Sequence, residues 1–199
     1  VAPRNGAAKK WENGTPFGYF WYKETLVLST VDGLALSLVK KLNLAKEIGV
    51  LDVADTVDVM IQKGAIDHAL AAHIAHTQFR SYEFLPRVAA FLLNHGKVNS
   101  KPLPIIDIAD APSAVWWVDN FGNCKTTLLA DEIKHEHDDT AAACVGNLQY
   151  FVRLKDVPDG TLALVQGSSG LGTRRFLEIV LQGGSAARML QLHSGSLVL

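Results

Sequence analysis

Ala114-Val115-Trp116-Trp117-Val118-Asp119-Asn120-Phe121-Gly122-Asn123 is an apolar, strand-sized run that breaks into a polar turn containing glycine. The same alternation recurs downstream. Residues 150–154, 161–165, 176–181 and 196–199 read as short strands. Pro158-Asp159-Gly160, residues 167–172 and Gly183-Gly184 read as the turns between them. Several short strands with frequent turns predict a small antiparallel, β-barrel-like domain over 114–199.

Working upstream, the pattern changes. Residues 26–31 read as a strand ending in β-branched residues, followed by a turn at Asp32-Gly33. The spacing of Leu34, Leu36, Leu38, Val39 and Leu42 does not decide between helix and strand, although Lys40 and Lys41 suit a helix C-terminus. Residues 65–76 favour helix through their Ala and Leu content. Residues 86–94 do so more firmly, with Pro86 in the first turn and Asn94-His95-Gly96 as a stop. Residues 97–112 hold Pro102, Pro104 and Pro112 without a helical period, and read as a linker. The expected organisation is therefore an α/β part with its linker over 1–113, then the β domain over 114–199.

The 199 residues are 48% hydrophobic and 20% charged, which argues against disorder. Lys plus Arg number 19 and Asp plus Glu 20, so the net charge of −1 removes the electrostatic case for nucleic acid. No apolar run approaches the roughly 20 residues needed to span a bilayer. No signal peptide opens the chain, and a cytoplasmic protein without a membrane partner is expected. Val1 is not an initiator Met, which suggests processing or a piece of something longer. Cys124 and Cys144 are too few for a disulfide framework and read as buried thiols.

His68, His73 and His76 fall near one another on a helix, but only Asp67 accompanies them, and no metal site is expected. His135-Glu136-His137-Asp138-Asp139 follows Asp131-Glu132 in a charged stretch, and reads as a solvated loop more simply than as a metal site. No dinucleotide-binding glycine motif, Walker loop or nucleophile elbow is present. The glycines of residues 167–175 suit an anion cradle, with a mobile hairpin as the simpler reading. More informative is the turn 119–123, which collects a carboxylate, an aromatic ring and an amide. An amide offers a purine edge a donor and an acceptor together, and an aromatic face stacks on a base. A carboxylate takes ribose hydroxyls or an amine. By itself, though, a structural turn remains the plainer reading.

The segment 118–128, Val-Asp-Asn-Phe-Gly-Asn-Cys-Lys-Thr-Thr-Leu, resembles the Asp-x-Phe-Gly-Asn-x-x-Thr-Asn segment of the S-adenosylmethionine (SAM) hydroxide adenosyltransferases. These share a fold with the SAM-dependent fluorinases and chlorinases. Residues 163–170, then 176–180 and 183–187, are similar to the closing Ser-x-Gly-x-Leu-Glu-Ile-Ala and Asn-x-Ala-Ser block. Residues 31–37 and 84–90 are similar, more loosely, to two first-domain stretches. The resemblance implies that this chain enters the family pattern midway through its first domain. It also implies a homotrimer, with each nucleoside pocket shared between neighbouring subunits.

Carried over by position, the resemblance implies that Asp119 meets the methionine amino group, Phe121 stacks on adenine and Asn123 hydrogen-bonds its edge. Ser168 would help bind the methionine carboxylate, Ala186 or Ala187 would offer backbone groups to adenine, and Ser169 stands where some halogenases have Arg. Arg174 or Arg175 would then replace that guanidinium. The water-activating Asp, Arg and His of the family fall on Ala2, Lys9 and Phe79, and Arg80 replaces a small residue beside the ribose. The expectation is a divergent SAM- or adenosine-binding protein whose water-activating groups are lost, with Lys9 the remaining catalytic candidate. The alternative is a SAM hydrolase with a rebuilt water site. No cofactor is expected beyond SAM itself as substrate or ligand.

Overall fold

The computed structural model describes residues 15–133, 135–136, 140–143 and 146–198. Contacts divide the chain into two compact units between Asp110 and Ala111.

The first unit combines a sheet with helices, as expected, but its sheet is antiparallel throughout. The strands β1 (Phe17–Tyr22), β2 (Thr25–Thr30), β3 (Glu47–Leu51) and β4 (Ser100–Pro104) lie in the order β2-β1-β3-β4. The segment left undecided holds a short helix, α1 (Ser37–Lys41), with Lys40 and Lys41 in its last turn. The helix expected over 65–76 starts later, as α3 (His68–His76), because the Asp67 carboxylate accepts the Leu70 N–H at 2.8 Å and caps it there. Asp52 caps α2 (Val53–Gln62) in the same way through the Asp55 N–H at 3.0 Å. A short helix α4 (Arg80–Glu83) leads into α5 (Leu85–Leu93), which has Pro86 in its first turn as anticipated. Phe17, Leu51, Val57, Ile74, Phe84 and Val88 form the core between sheet and helices.

Residues 97–112 are not a free linker. Their first part is β4, an edge strand, where Pro102 and Pro104 are tolerated because an edge need not donate on both sides. Their second part is pinned by Lys40, whose ammonium donates to the Ile106 and Ile108 carbonyls (3.0 and 2.6 Å) and pairs with Asp110 at 2.9 Å.

The second unit is one seven-stranded sheet in the order β5-β6-β11-β10-β9-β8-β7. Its strands are β5 (Val115–Val118), β6 (Cys124–Leu129), β7 (His135–Glu136), β8 (Thr140–Ala143), β9 (Gly146–Phe151), β10 (Leu162–Leu171) and β11 (Arg174–Leu181). Among the described residues it is an open, mixed sheet, which corrects the expected antiparallel barrel. The cause is the connection 152–161. It carries a 3-10 turn at Leu154–Asp156 and returns the chain so that β10 runs parallel to β9. Each other neighbouring pair is antiparallel.

Two further corrections concern strand ends. Residues 167–171 stay within β10 past a bulge between Gln166 and Gly170, so the turn narrows to Gly172-Thr173, with Gly172 at φ 58°. Of the strand expected over 196–199, among the described residues only Leu197 pairs, as an isolated bridge to Ala114, and Leu199 lies outside them.

Strand β6 escapes a sequence reading because Lys125, Thr126 and Thr127 hide its apolar pattern. Each of the three finds a partner. Thr126 donates to the Leu177 carbonyl at 2.7 Å, Thr127 to that of Pro112 at 2.5 Å, and Lys125 pairs with Glu178 at 2.6 Å. Val115, Leu128, Leu164, Leu177 and Ile179 close the core beneath them, together with Ala186 of a final short helix, α6 (Ala186–Leu190). Among the described residues no helix is long and apolar enough to cross a membrane.

Candidate functional site

The turn that leaves β5 is organised by one carboxylate. Asp119 Oδ1 accepts the backbone N–H groups of Phe121 (2.9 Å) and Asn123 (3.0 Å), and Oδ2 accepts the Asn123 side-chain amide at 3.1 Å. The Asp119 N–H donates in turn to the Asn123 carbonyl at 3.1 Å, and the Gly122 N–H to that of Asp119 at 3.0 Å. Burial pushes the Asp119 carboxyl up. The hydrogen bonds from Asn123 and Phe121, with the Lys125 charge, outweigh it and hold the group below its ordinary value, ionised.

Gly122 fixes this turn against the end of the chain. Its φ of 84° lies in the left-handed region, and a Cβ placed there would come within 2.6 Å of the Ser185 Cβ. Its carbonyl accepts the Ala187 N–H at 2.9 Å. Ser185 caps α6, accepting the Arg188 N–H at 3.2 Å. The two segments so joined line an open depression of about 850 Å³, with Asp119, Phe121 and Asn123 on one segment and Gly183, Ala187 and Arg188 on the other. Phe121 is 80% exposed there. With one amide hydrogen given to Asp119, Asn123 retains a second donor and its carbonyl oxygen. The Cys124 thiol beneath the turn is pushed up to about 11, first by burial and then by the Asp119 charge, so it is no nucleophile at neutral pH.

Of the other expected site residues, Ala187 lines the depression and the rest do not. The Ala186 side chain is buried in the core. Ala187 lines the depression, but its N–H is engaged by Gly122 and its carbonyl accepts the Leu192 N–H at 2.9 Å. Ser168, Ser169 and Arg174 sit on the β10–β11 hairpin, outside the lining. Arg174 is next to the hairpin turn, while Leu181 at the other end of β11 lines the depression; at about 3.3 Å per residue the separation is on the order of 20 Å.

Within the hairpin the Ser168 N–H reaches Glu178 at 3.3 Å and its carbonyl accepts Arg175 at 2.9 Å. The Ser169 hydroxyl is buried without a hydrogen-bond partner among the described residues.

In the first unit, Phe79 is exposed. Arg80 donates to the Thr15 carbonyl at 2.8 Å and stacks 5.4 Å over the Phe17 ring, and its burial lowers its pKa. It is thus bound into its own unit. The α3 histidines gather no ligand set: among the described residues no group of three or more His, Cys, Asp or Glu could hold a metal. Ala2, Lys9, residues 137–139 and Cys144 lie outside the described residues.

Sequence reasoning misses Arg188 and Leu154 of the lining. Leu154 reads as the end of a strand. Arg188 belongs to a helix too short to show a period, although Ser185 ahead of it is an available capping signal.

Residues 113–199 match the family model described as the SAM hydroxide adenosyltransferase C-terminal domain. The second unit is a domain of that family. No curated protein matches the chain in sequence. Among solved structures, the chain is similar to an uncharacterized conserved protein from Thermotoga maritima, with 18% identity and a TM-score of 0.61, over 93% of this chain and 71% of that one. It is also similar to a conserved hypothetical protein from Thermus thermophilus, with 18% identity and a TM-score of 0.55, over 93% of this chain and 68% of that one. At this identity the likeness establishes the fold alone.

Proposed function

We propose that this protein binds the adenosine portion of SAM, or a related adenine nucleoside, in the depression between the turn 119–123 and the start of α6. The observation that carries this reading is the exposed Phe121 ring beside an Asn123 amide whose orientation Asp119 fixes. A ring offers the base a stacking face, and the remaining donor and acceptor of Asn123 match a purine edge. The family of the second unit supports the same ligand class. The depression is open, and a neighbouring copy in a homotrimer, as the family resemblance implies, would complete it.

In this reading the protein hydrolyses SAM very slowly or not at all. Phe79 can neither donate nor accept a hydrogen bond through its side chain, Ala2 likewise, and Lys9 lacks the planar fork of Arg. One positioned acid or base typically contributes about 10²–10⁴-fold, so losing two such groups removes most of the rate. The test is incubation of the protein with SAM, adenosine being followed by chromatography, alongside calorimetric titration with SAM and adenosine. Binding without turnover is expected. Many turnovers, abolished by Asn123→Ala, would establish the hydrolase instead.

A further inference from the structure

The charges of the depression are unevenly engaged. Its lining holds one carboxylate and one guanidinium, Asp119 and Arg188. Both Asp119 oxygens already accept hydrogen bonds from its own turn. Arg188 is tied through its backbone alone, its N–H donating to Ser185 and its carbonyl accepting the Gln191 N–H at 3.4 Å, and its side chain has no ion-pair or hydrogen-bond partner among the described residues. Among the described residues, no Asp or Glu other than Asp119 lines the depression to neutralise it. The α6 turn, fixed by the Gly122–Ser185 contact, holds the Arg188 backbone in place while its guanidinium remains unpaired.

A guanidinium is permanently charged and presents a fork of donors that fits the paired oxygens of a phosphate or carboxylate. Neutral adenosine offers it neither.

Resting on the adenosine reading above, we propose that Arg188 is a specificity residue of this site, selecting adenine nucleosides that carry an anionic group over adenosine itself. The anion is a phosphate or a carboxylate, and in SAM the sulfonium and the α-ammonium both offset the carboxylate. An adenine nucleoside monophosphate is then preferred both to adenosine and to SAM, whose net charge is positive.

The experiment is calorimetric titration of the full chain with adenosine, adenosine monophosphate and SAM at low salt, repeated with Arg188→Gln. An exposed ion pair supports a preference of about fivefold for the monophosphate. That preference should shrink at about 0.5 M salt, where screening shortens to a few ångströms. Arg188→Gln should cut the ratio of monophosphate to adenosine affinity to less than about twofold. Equal affinity for adenosine and the monophosphate in the natural protein, or a preference that survives Arg188→Gln, overturns the assignment while leaving the adenosine site standing. Failure of all three ligands to bind overturns both readings.

Discussion

The turn 119–123 and the β10–β11 hairpin both carry residues that a reader of the sequence would assign to one ligand, yet the fold treats them in opposite ways. In the turn, the backbone consumes the Asp119 carboxylate and leaves Phe121 and part of Asn123 facing the depression. In the hairpin, Glu178, a buried carboxylate, takes both the Lys125 ammonium and the Ser168 N–H. The first arrangement pre-organises groups toward an outside partner. The second makes a buried network that fixes strand register. The contrast can be broken by substitutions whose effects on stability and binding separate.

The largest effect is expected at the hairpin. Glu178→Ala strands the Lys125 charge, whose side chain is 12% exposed, and should cost about 3 kcal/mol in denaturant unfolding. Replacing both partners together, as Lys125→Met with Glu178→Leu, should recover most of that loss. Adenosine affinity of the double variant should be close to natural. If it falls sharply, the hairpin belongs to the site after all.

Next comes Gly122→Ala. A Cβ at φ 84° is strained and would press on Ser185, so unfolding should be easier by about 2 kcal/mol, with nucleoside binding weakened as the two lining segments separate. Unchanged stability would mean that the clamp is not a constraint.

Asp119→Asn is the third in size, at about 1 kcal/mol, because an amide has a single accepting oxygen and cannot take the Phe121 and Asn123 backbone N–H groups on one atom and the Asn123 side-chain amide on the other. Its pH signature is more telling. A carboxyl held below its ordinary value stabilises the fold above the unfolded-state pKa, and that contribution disappears as pH falls through the folded value. Stability of the natural protein should therefore drop through this acid window more steeply than that of Asp119→Asn. Parallel curves would contradict the hydrogen-bond pattern.

Legibility in the sequence followed local physical chemistry. The helices with a cap or a proline start, α3 and α5, were readable, and so were the strands made of unbroken apolar runs. Strand β6 was hidden because its buried polar residues are satisfied only by residues distant in sequence, such as Leu177 and Glu178. Strand β4 was hidden because its prolines look like linker until an edge position explains them. The barrel expectation failed on one parallel pairing, which no local pattern encodes. In the candidate site, Asp119, Phe121 and Asn123 were legible as a spaced motif. Arg188 was not, because its place depends on Gly122 packing against Ser185.

The smallest effect on stability carries the most about function. Phe121 is 80% exposed, so Phe121→Ala should change unfolding by no more than about 0.5 kcal/mol. If the ring stacks on adenine, the same substitution should weaken adenosine binding by about 1–3 kcal/mol. Titration of adenosine into the natural protein and into Phe121→Ala, with unfolding curves for both, tests the central claim directly. The expected result is binding by the natural protein and a loss of at least about fivefold in the variant at equal stability. No binding by the natural protein, or equal binding by both, would contradict it.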